Sequence, residues 1–193
     1  AGGNITITTT GNYIGFDLFY TTVSAGGMGN VNINAQGRRT GVELESATIT
    51  SAGGNVTVNG TTNGTYNDSR AFGVDLRFGS RISAGGMGTV TVAGTAGNPG
   101  TANDYGIELE DYSQITSSGG NVNITAIGNA SSKALEFQSG SITTATNGGN
   151  ITLITDDANI GANATIATNA DGSVTIPAVL RPYMGGLERI TKG

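Results

Sequence analysis

Apolar and polar residues alternate along most of this chain, in short segments that recur in a fixed order. The first kind of segment reads Gly-Gly-Asn-Val-Thr-Val at positions 53–58. The second reads Gly-Val-Asp-Leu at positions 73–76, and the third has one apolar anchor, such as Ile82. A period of two places the apolar residues on one face of a strand. The pattern therefore predicts three short strands in each repeat.

The spacing of these segments predicts how the strands are connected. Copies of the first segment begin at Gly2, Gly26, Gly53, Gly85, Gly119 and Gly148, with a degenerate copy at Asp171. The other two corners of the repeat keep a nearly constant length, but the corner after the first segment varies. It spans 9 residues from Ile7 to Phe16 and 16 from Val58 to Val74. Such an elastic corner is typical of a solenoid, in which insertions extend from one face.

These features predict an all-β fold, namely a right-handed parallel β-helix of about six to seven three-strand coils. The repeat domain covers residues 1–176. Residues 177–193 contain Pro177 and Pro182 and are expected to form a cap, a tail or a link to a following module. We expect the Gly pairs to form the sharp corners because Gly adopts positive φ without steric cost. A β-sandwich is the alternative fold, but its strands need not keep this period.

The repeats resemble those of filamentous-haemagglutinin-like adhesins, the large passengers of two-partner secretion systems. The resemblance rests on the Gly-Gly-Asn-Val-Thr-Val units, the Gly-Val-Glu-Leu of positions 41–44 and the Thr-Ile-Thr-Ser of positions 48–51. It extends from about Gly2 to Ile176. It implies a right-handed β-helix, export to the bacterial cell surface, and a role in attachment or matrix building. The resemblance brings no catalytic residues with it.

Composition and charge exclude several classes of function. The chain has 33 Gly residues, no Cys, no His and a net charge of −5. Nucleic-acid binding is disfavoured because there is no basic cluster. A nucleophilic triad of the usual kind is excluded without His or Cys, and no apolar run is long enough for a transmembrane segment. Ala1 opens directly on repeat material, which indicates a processed or excised chain.

An acidic residue recurs at the outward position of the second strand. We call this set the acidic ladder: Asp17, Glu43, Asp75, Glu108 and Glu136. Carboxylates stacked on neighbouring coils repel each other unless something compensates. The ladder could bind a metal, with Ca²⁺ the natural candidate for oxygen ligands. It could alternatively hydrolyse glycosides, since acidic pairs perform that chemistry. The third and favoured interpretation is a solvated charged face that discourages aggregation. The regularity argues against catalysis, because active sites usually break a repeat.

The long corners at 59–70 and 93–105 are candidate recognition loops, because loops on a rigid scaffold commonly carry binding residues. Tyr and Arg are enriched at binding hot spots. The candidate contact residues are Tyr66, Arg70, Tyr105 and Tyr112. Tolerated drift in loop length is the alternative explanation.

Thr and Asn dominate the outward positions of the first strand. Stacked Asn amides can hydrogen-bond along such a ladder. Flat Thr arrays also resemble ice-binding faces, but the rows mix Thr with Asn, which favours a structural role.

Two functions remain open from the sequence. The favoured hypothesis is a non-catalytic, exported adhesin or fibre-forming module at the bacterial cell surface. Its partners would be host or matrix glycans or proteins, or copies of itself joined through the open ends of the solenoid. It needs no cofactor, although Ca²⁺ is a possible ligand. The alternatives are a polysaccharide-acting lyase or hydrolase and, more remotely, an ice-binding protein.

Overall fold

A computed structural model describes residues 2–63, 70–97, 104–128, 133–146, 148–169, 174–175 and 189–190 of the chain. Every regular element in these ranges is a β-strand. The strands stack in parallel as a β-solenoid of about five turns, which confirms the predicted all-β solenoid. Two hydrogen-bonded sheets result.

The first sheet collects the strands that follow the Gly pairs. Its order along the stack is β1 (Ile5–Thr10), β4 (Val31–Gly37), β7 (Val56–Thr62), β10 (Val90–Thr95), β13 (Val122–Ile127), β15 (Ile151–Thr155), β17 (Val174–Thr175) and β18 (Arg189–Ile190). Each pair is parallel except the last, in which β18 runs antiparallel to β17. We number coils 1 to 5 from the strands β1, β4, β7, β10 and β13.

The second sheet contains the other two strands of each coil. The second-strand column consists of β2 (Ile14–Phe19), β5 (Thr40–Glu45), β8 (Phe72–Arg77) and β11 (Tyr105–Leu109). The third-strand column consists of β3 (Thr22–Ala25), β6 (Thr48–Ser51), β9 (Arg81–Ala84) and β12 (Ser113–Ser117). The columns join at β14 (Leu135–Thr146), which runs through the corner and pairs with β16 (Ala158–Asn169).

The predicted apolar anchors form the core. Val56, Val74 and Ile82, one from each strand of coil 3, are fully buried, and their equivalents in coils 2, 4 and 5 are buried with them. In coil 1 the anchors Ile5 and Phe16 are only half-buried, because they lie on the edge strands of the two sheets.

The Gly pairs have a different role from the one expected. Positive φ occurs at Gly27 and Gly86, in the two corners that carry an inserted Met, but not at Gly54 or Gly120. A Cβ on Gly54 would lie 2.3 Å from the carbonyl oxygen of Gly29 in the preceding coil, and Gly120 is equally tight. The expectation that positive φ explains every pair was therefore wrong. Most of these glycines are needed because successive backbones approach too closely for a side chain.

An Asn before the first strand links one coil to the next in every coil except coil 4, which has Thr89 at this position. The Oδ1 of Asn4 accepts a hydrogen bond from the backbone N–H of Asn30 at 2.8 Å, and the Oδ1 of Asn30 accepts one from Asn55. Asn55 and Asn121 make the same bond to the following coil. The repeat therefore keeps its register at each corner through an amide oxygen that satisfies a backbone donor.

Candidate functional site

The acidic ladder is continuous in the structure. Parallel register pairs Asp17 with Glu43, Glu43 with Asp75, Asp75 with Glu108, and Glu108 with Glu136. The next coil continues the column with a neutral residue, Asn159, on β16. The stacking therefore agrees with the alignment that the sequence predicted.

The ladder is not the solvated face that the sequence analysis favoured. Asp17 is exposed, but Glu43, Asp75, Glu108 and Glu136 are all buried. The expectation of solvent exposure was wrong because it was based on strand alternation. Alternation shows only that these side chains point away from the core, not whether other residues cover them. Arginine and aromatic side chains from neighbouring strands and corners lie against the carboxylates.

Arg77 compensates the middle of the ladder. It extends from the end of β8 and forms ion pairs with Glu43, with Glu45 at 2.5 Å and with Asp75 at 3.5 Å. Arg39 adds a second cation 3.7 Å from Glu43. A buried carboxylate is tolerated only when such partners offset its lost hydration. Arg77 therefore binds two adjacent coils together.

Arg70 compensates the next coil. Its Nη2 donates to the Oε1 of Glu108 at 2.7 Å. The guanidinium lies over the rings of Phe72 and Tyr105, at 5.3 and 5.9 Å from their centroids. The two rings stack at 5.9 Å with an interplanar angle of 19°. Further along, the side chain of Asn159 donates to Glu136 at 2.7 Å, so the neutral residue satisfies the last ladder carboxylate.

Three carboxylates converge beside Arg70 and Arg77, which contact Glu108 and Asp75 respectively. Oxygens of Asp75, Glu108 and Glu110 lie within 4.8 Å of one another. Asp75 is fully buried, and neither of its carboxylate oxygens accepts a hydrogen bond. Burial raises the pKa of Asp75 well above its usual range, although Arg77 opposes the shift. Ionising all three carboxyl groups at the same time is therefore unfavourable.

Glu108 is the second buried carboxyl group of this cluster. Burial, with the nearby Glu110 carboxylate, raises its pKa to about 7 despite the contact with Arg70. Burial likewise raises the pKa of Glu110, with Asp111 adding to it, and of Glu43. Carboxyl groups this close share protons rather than ionise together. The arrangement can hold protons near neutral pH, and its oxygens are the ligand type that a hard cation would require.

The predicted loop residues are not all brought together. Arg70 and Tyr105 contact each other, as the shared corner of adjacent coils predicted. Tyr66 lies outside the described residues. Tyr112 lies beyond the opposite end of β11, in the corner between the second and third strands. Grouping Tyr112 with the long corners was therefore wrong, because a strand separates it from Tyr105.

Sequence reasoning missed the aromatic residues at that opposite corner. Tyr20 and Phe78 are exposed there in coils 1 and 3, beside Tyr112 in coil 4. Tyr20 and Phe78 each stand two residues after the last buried Leu of a second strand, Leu18 and Leu76, and Tyr112 stands three residues after Leu109. A recurring aromatic at an outward corner position was the available signal.

The Thr and Asn field forms a shallow polar groove at one end of the first sheet. The groove encloses about 260 Å³. Within it the amide of Asn59 donates to the Oδ1 of Asn34 at 2.7 Å, and Asn34 donates to Asn32 at 3.2 Å. These bonds support the structural role that the sequence predicted for the field.

Comparison with known proteins gives little guidance. No protein-family model matches the chain. Short matches occur to serine–tRNA ligases of Burkholderia multivorans and Burkholderia cepacia, each 91% identical over 22 residues, which is 11% of this chain and 5% of those proteins. The ligase of Herpetosiphon aurantiacus is 86% identical over 22 residues, with the same coverage. No solved structure matches. Matches of this extent carry no argument about fold or activity.

Among the described residues, no helix is long and apolar enough to cross a bilayer.

Proposed function

We propose that this chain is the rod of an exported bacterial surface adhesin or fibre, and that it is not an enzyme. The observation that carries the proposal is the burial of three ladder carboxylates, Glu43, Asp75 and Glu108, against Arg39, Arg70 and Arg77. Carboxylates already held by arginines inside the wall are poorly placed to reach a polymer. They are well placed to hold neighbouring coils in register, which is what a long rod requires.

The handedness and the number of the coils are also proposed. We assign right-handed coils, because parallel strand crossovers are right-handed in almost all known cases. With residues up to 176 included, six to seven coils are expected. The adhesive role follows the resemblance to filamentous-haemagglutinin-like passengers, and it carries with it a location outside the cell or on its surface.

Contacts would occur at the long corners or at the solenoid ends. Arg70 and Tyr105 form one preorganised patch at the long corners. Tyr66 lies in the sequence of the first long corner, outside the described residues. At the end of the stack, β1, β2 and β3 are edge strands with half-buried anchors such as Ile7 and Val23. An open edge of this kind accepts a further strand. Another coil of the same polypeptide or a second copy of the chain would fit it.

The test of the proposal is a binding survey. The purified chain is applied to immobilised host and matrix glycans and proteins, and its sedimentation is followed over a wide concentration range. We expect binding to at least one surface, or concentration-dependent assembly. A chain that stays monomeric and binds none of them would contradict the proposal.

A polysaccharide-acting enzyme is the second candidate, and the convergence of Asp75, Glu108 and Glu110 favours it. A carboxyl group with a pKa near 7 suits a general acid at neutral pH. Release of reducing ends or unsaturated sugars from polysaccharides, abolished by Glu108→Gln, would establish this function in place of the first. We expect no such release.

A further inference from the structure

One corner of the solenoid presents aromatic side chains in a row. Tyr20 lies between β2 and β3, Phe78 between β8 and β9, and Tyr112 between β11 and β12. The preceding second strands are in register, Leu18 with Leu44, Leu44 with Leu76, and Leu76 with Leu109, so these corners stack in one column. We call Tyr20, Phe78 and Tyr112 the aromatic corner.

The three side chains are not used to build the core. Their exposed fractions are 71% for Tyr20, 56% for Phe78 and 72% for Tyr112. The buried side of each corner is formed instead by small residues and backbone. Ser80, for example, donates to the carbonyl of Arg77 at 2.7 Å and accepts the N–H of Ala47.

The backbone at these positions favours glycine over an aromatic residue. The φ angles are 49° at Tyr20, 54° at Phe78 and 64° at Tyr112, all in the left-handed region. A residue with a Cβ is strained there, whereas Gly is not. Gly79 holds the position of coil 3 that Tyr112 holds in coil 4, with φ of 71° and open space where a Cβ would lie. Ser46 and Asp111 adopt the same left-handed conformation in coils 2 and 4, with φ of 48° and 52°, so the backbone does not require an aromatic residue here. Large exposed rings at such positions fill no part of the core, which points to contact with a ligand.

The spacing of the rings fits a linear polymer. Coils stack about 4.8 Å apart, so Tyr20 and Phe78, at equivalent positions of coils 1 and 3, are separated by about two such steps along the stack. Tyr112 lies one coil beyond Phe78 and one residue further along the corner. The distance between adjacent coils is close to the length that one pyranose residue occupies in an extended β-linked chain. The C–H face of a pyranose packs on an aromatic ring. Ser46, which holds the corner in coil 2, leaves room between the first two rings.

Polar groups beside the rings could bind sugar hydroxyls. Glu45 and Arg77 come directly before the corner in coils 2 and 3, and Glu110 and Asp111 lie beside Tyr112. The guanidinium of Arg77 lies 5.9 Å from the ring centroid of Phe78 and holds one of its faces. The acidic neighbours, in a chain of net charge −5, would repel uronates, sulfated glycans and anionic lipids.

We propose that the aromatic corner is a stacking surface for a linear, neutral polysaccharide. This inference rests on the proposed adhesive function and names the class of ligand and the surface that binds it. It assigns recognition to the corner between the second and third strands, and the long corners on the other side of the second strand are not required for it.

The test is a triple variant, Tyr20→Gly with Phe78→Gly and Tyr112→Gly. Binding is measured by depletion from solution on insoluble cellulose, xylan and β-1,3-glucan, and by retardation in native gels containing soluble β-glucans. We expect the wild-type chain to bind at least one of these polymers and the variant to bind it about tenfold or more weakly, since stacked rings each add a modest increment. Because Gly suits the backbone here, the melting temperature of the variant should equal or exceed that of the wild type.

A control variant removes two other exposed apolar side chains, which lie at a different corner. Met28 and Met87 are 72% and 75% exposed at a different corner, and the double variant Met28→Ala with Met87→Ala should bind the polymer as the wild type does. Equal loss of binding in both variants would show a non-specific apolar effect and overturn the inference.

Other outcomes also overturn it and separate it from the adhesive function. If the triple variant binds as tightly as the wild type, or if the wild type binds matrix proteins or anionic vesicles but no neutral polysaccharide, the aromatic corner is not the site and the adhesive proposal stands. If the wild type binds no surface and does not assemble, both proposals fail.

Discussion

The stability of this protein should fall as the pH rises from mildly acidic to neutral, and Glu108 should account for much of the change. Its carboxyl group is 1% exposed, and burial beside Glu110 raises its pKa from 4.5 to about 7. A raised folded-state pKa contributes stability that is fully present below the unfolded pKa and is lost as the pH rises through the folded one. The window is therefore about pH 4.5 to 7.

The magnitude follows from the size of the shift. A change from 4.5 to about 7 corresponds to about 3 kcal/mol of unfolding free energy. This figure already includes the favourable contact with Arg70, since that contact lowers the pKa. Glu108→Gln replaces the carboxyl with a neutral group of the same shape. The variant should therefore gain about 3 kcal/mol relative to the wild type between pH 4.5 and pH 8.

The assay is urea unfolding at 25 °C, followed by far-ultraviolet circular dichroism at pH 4.5, 6 and 8. The quantity compared is the difference between variant and wild type at each pH, so that titrating groups distant from Glu108 cancel. Asp17→Asn, which removes the exposed carboxylate of the same ladder, is the control and should change the pH dependence much less than Glu108→Gln does. A Glu108→Gln difference that is constant with pH, or that grows less favourable, would refute the reasoning. The ion pair with Arg70 would then outweigh burial.

Three further predictions concern an arginine in the wall of the solenoid, a glycine between its coils and the effect of Ca²⁺. Arg77→Met should destabilise by about 3–5 kcal/mol in chemical unfolding, because it leaves buried carboxylates without their cation. Gly73→Ala should destabilise by about 3 kcal/mol or prevent folding, since its Cβ would lie 2.3 Å from the backbone N of Thr95. Adding Ca²⁺ or a chelator should leave the melting temperature unchanged, because Arg70 and Arg77 already offset the charge around Asp75.

Matched controls separate these effects from general sensitivity to mutation. Arg81→Met removes an exposed cation next along the chain and should cost little, so equal losses at Arg77 and Arg81 would contradict the role given to Arg77. Gly26→Ala adds a Cβ in open space and should be tolerated. Equal tolerance of Gly73→Ala would disprove the close backbone approach. A Ca²⁺-dependent rise in melting temperature, abolished by Asp75→Asn, would identify a cation site.

Much of the fold could be predicted from the sequence because its information is local and repeated. Val56, Val74 and Ile82 mark three strands by period-two alternation, and the same three signals return in each coil. The alignment of ladder residues such as Asp75 and Glu108 followed from the same count. The reason given for the Gly pairs was wrong at Gly54, because a close approach between coils does not appear in the pattern of one coil.

The candidate site was less predictable. Strand alternation says that the side chain of Glu108 points away from the core, but it cannot say what lies above it. Arg70 reaches Glu108 across 38 positions of sequence. The placement of Tyr112 failed for a related reason, since a residue near a long corner in sequence can lie beyond the strand that follows it.

The sequence by itself determined the architecture: the strands, their parallel stacking, the composition of the core and the alignment of the ladder. These features depend on the spacing of apolar residues, which can be read directly from the amino-acid sequence. Only the tertiary structure decided the environment of the carboxylates and the exposure of the aromatic corner. Burial and pKa depend on which distant side chains come together above a surface, and Arg77 meets Glu43, Glu45 and Asp75 only after the coils have stacked.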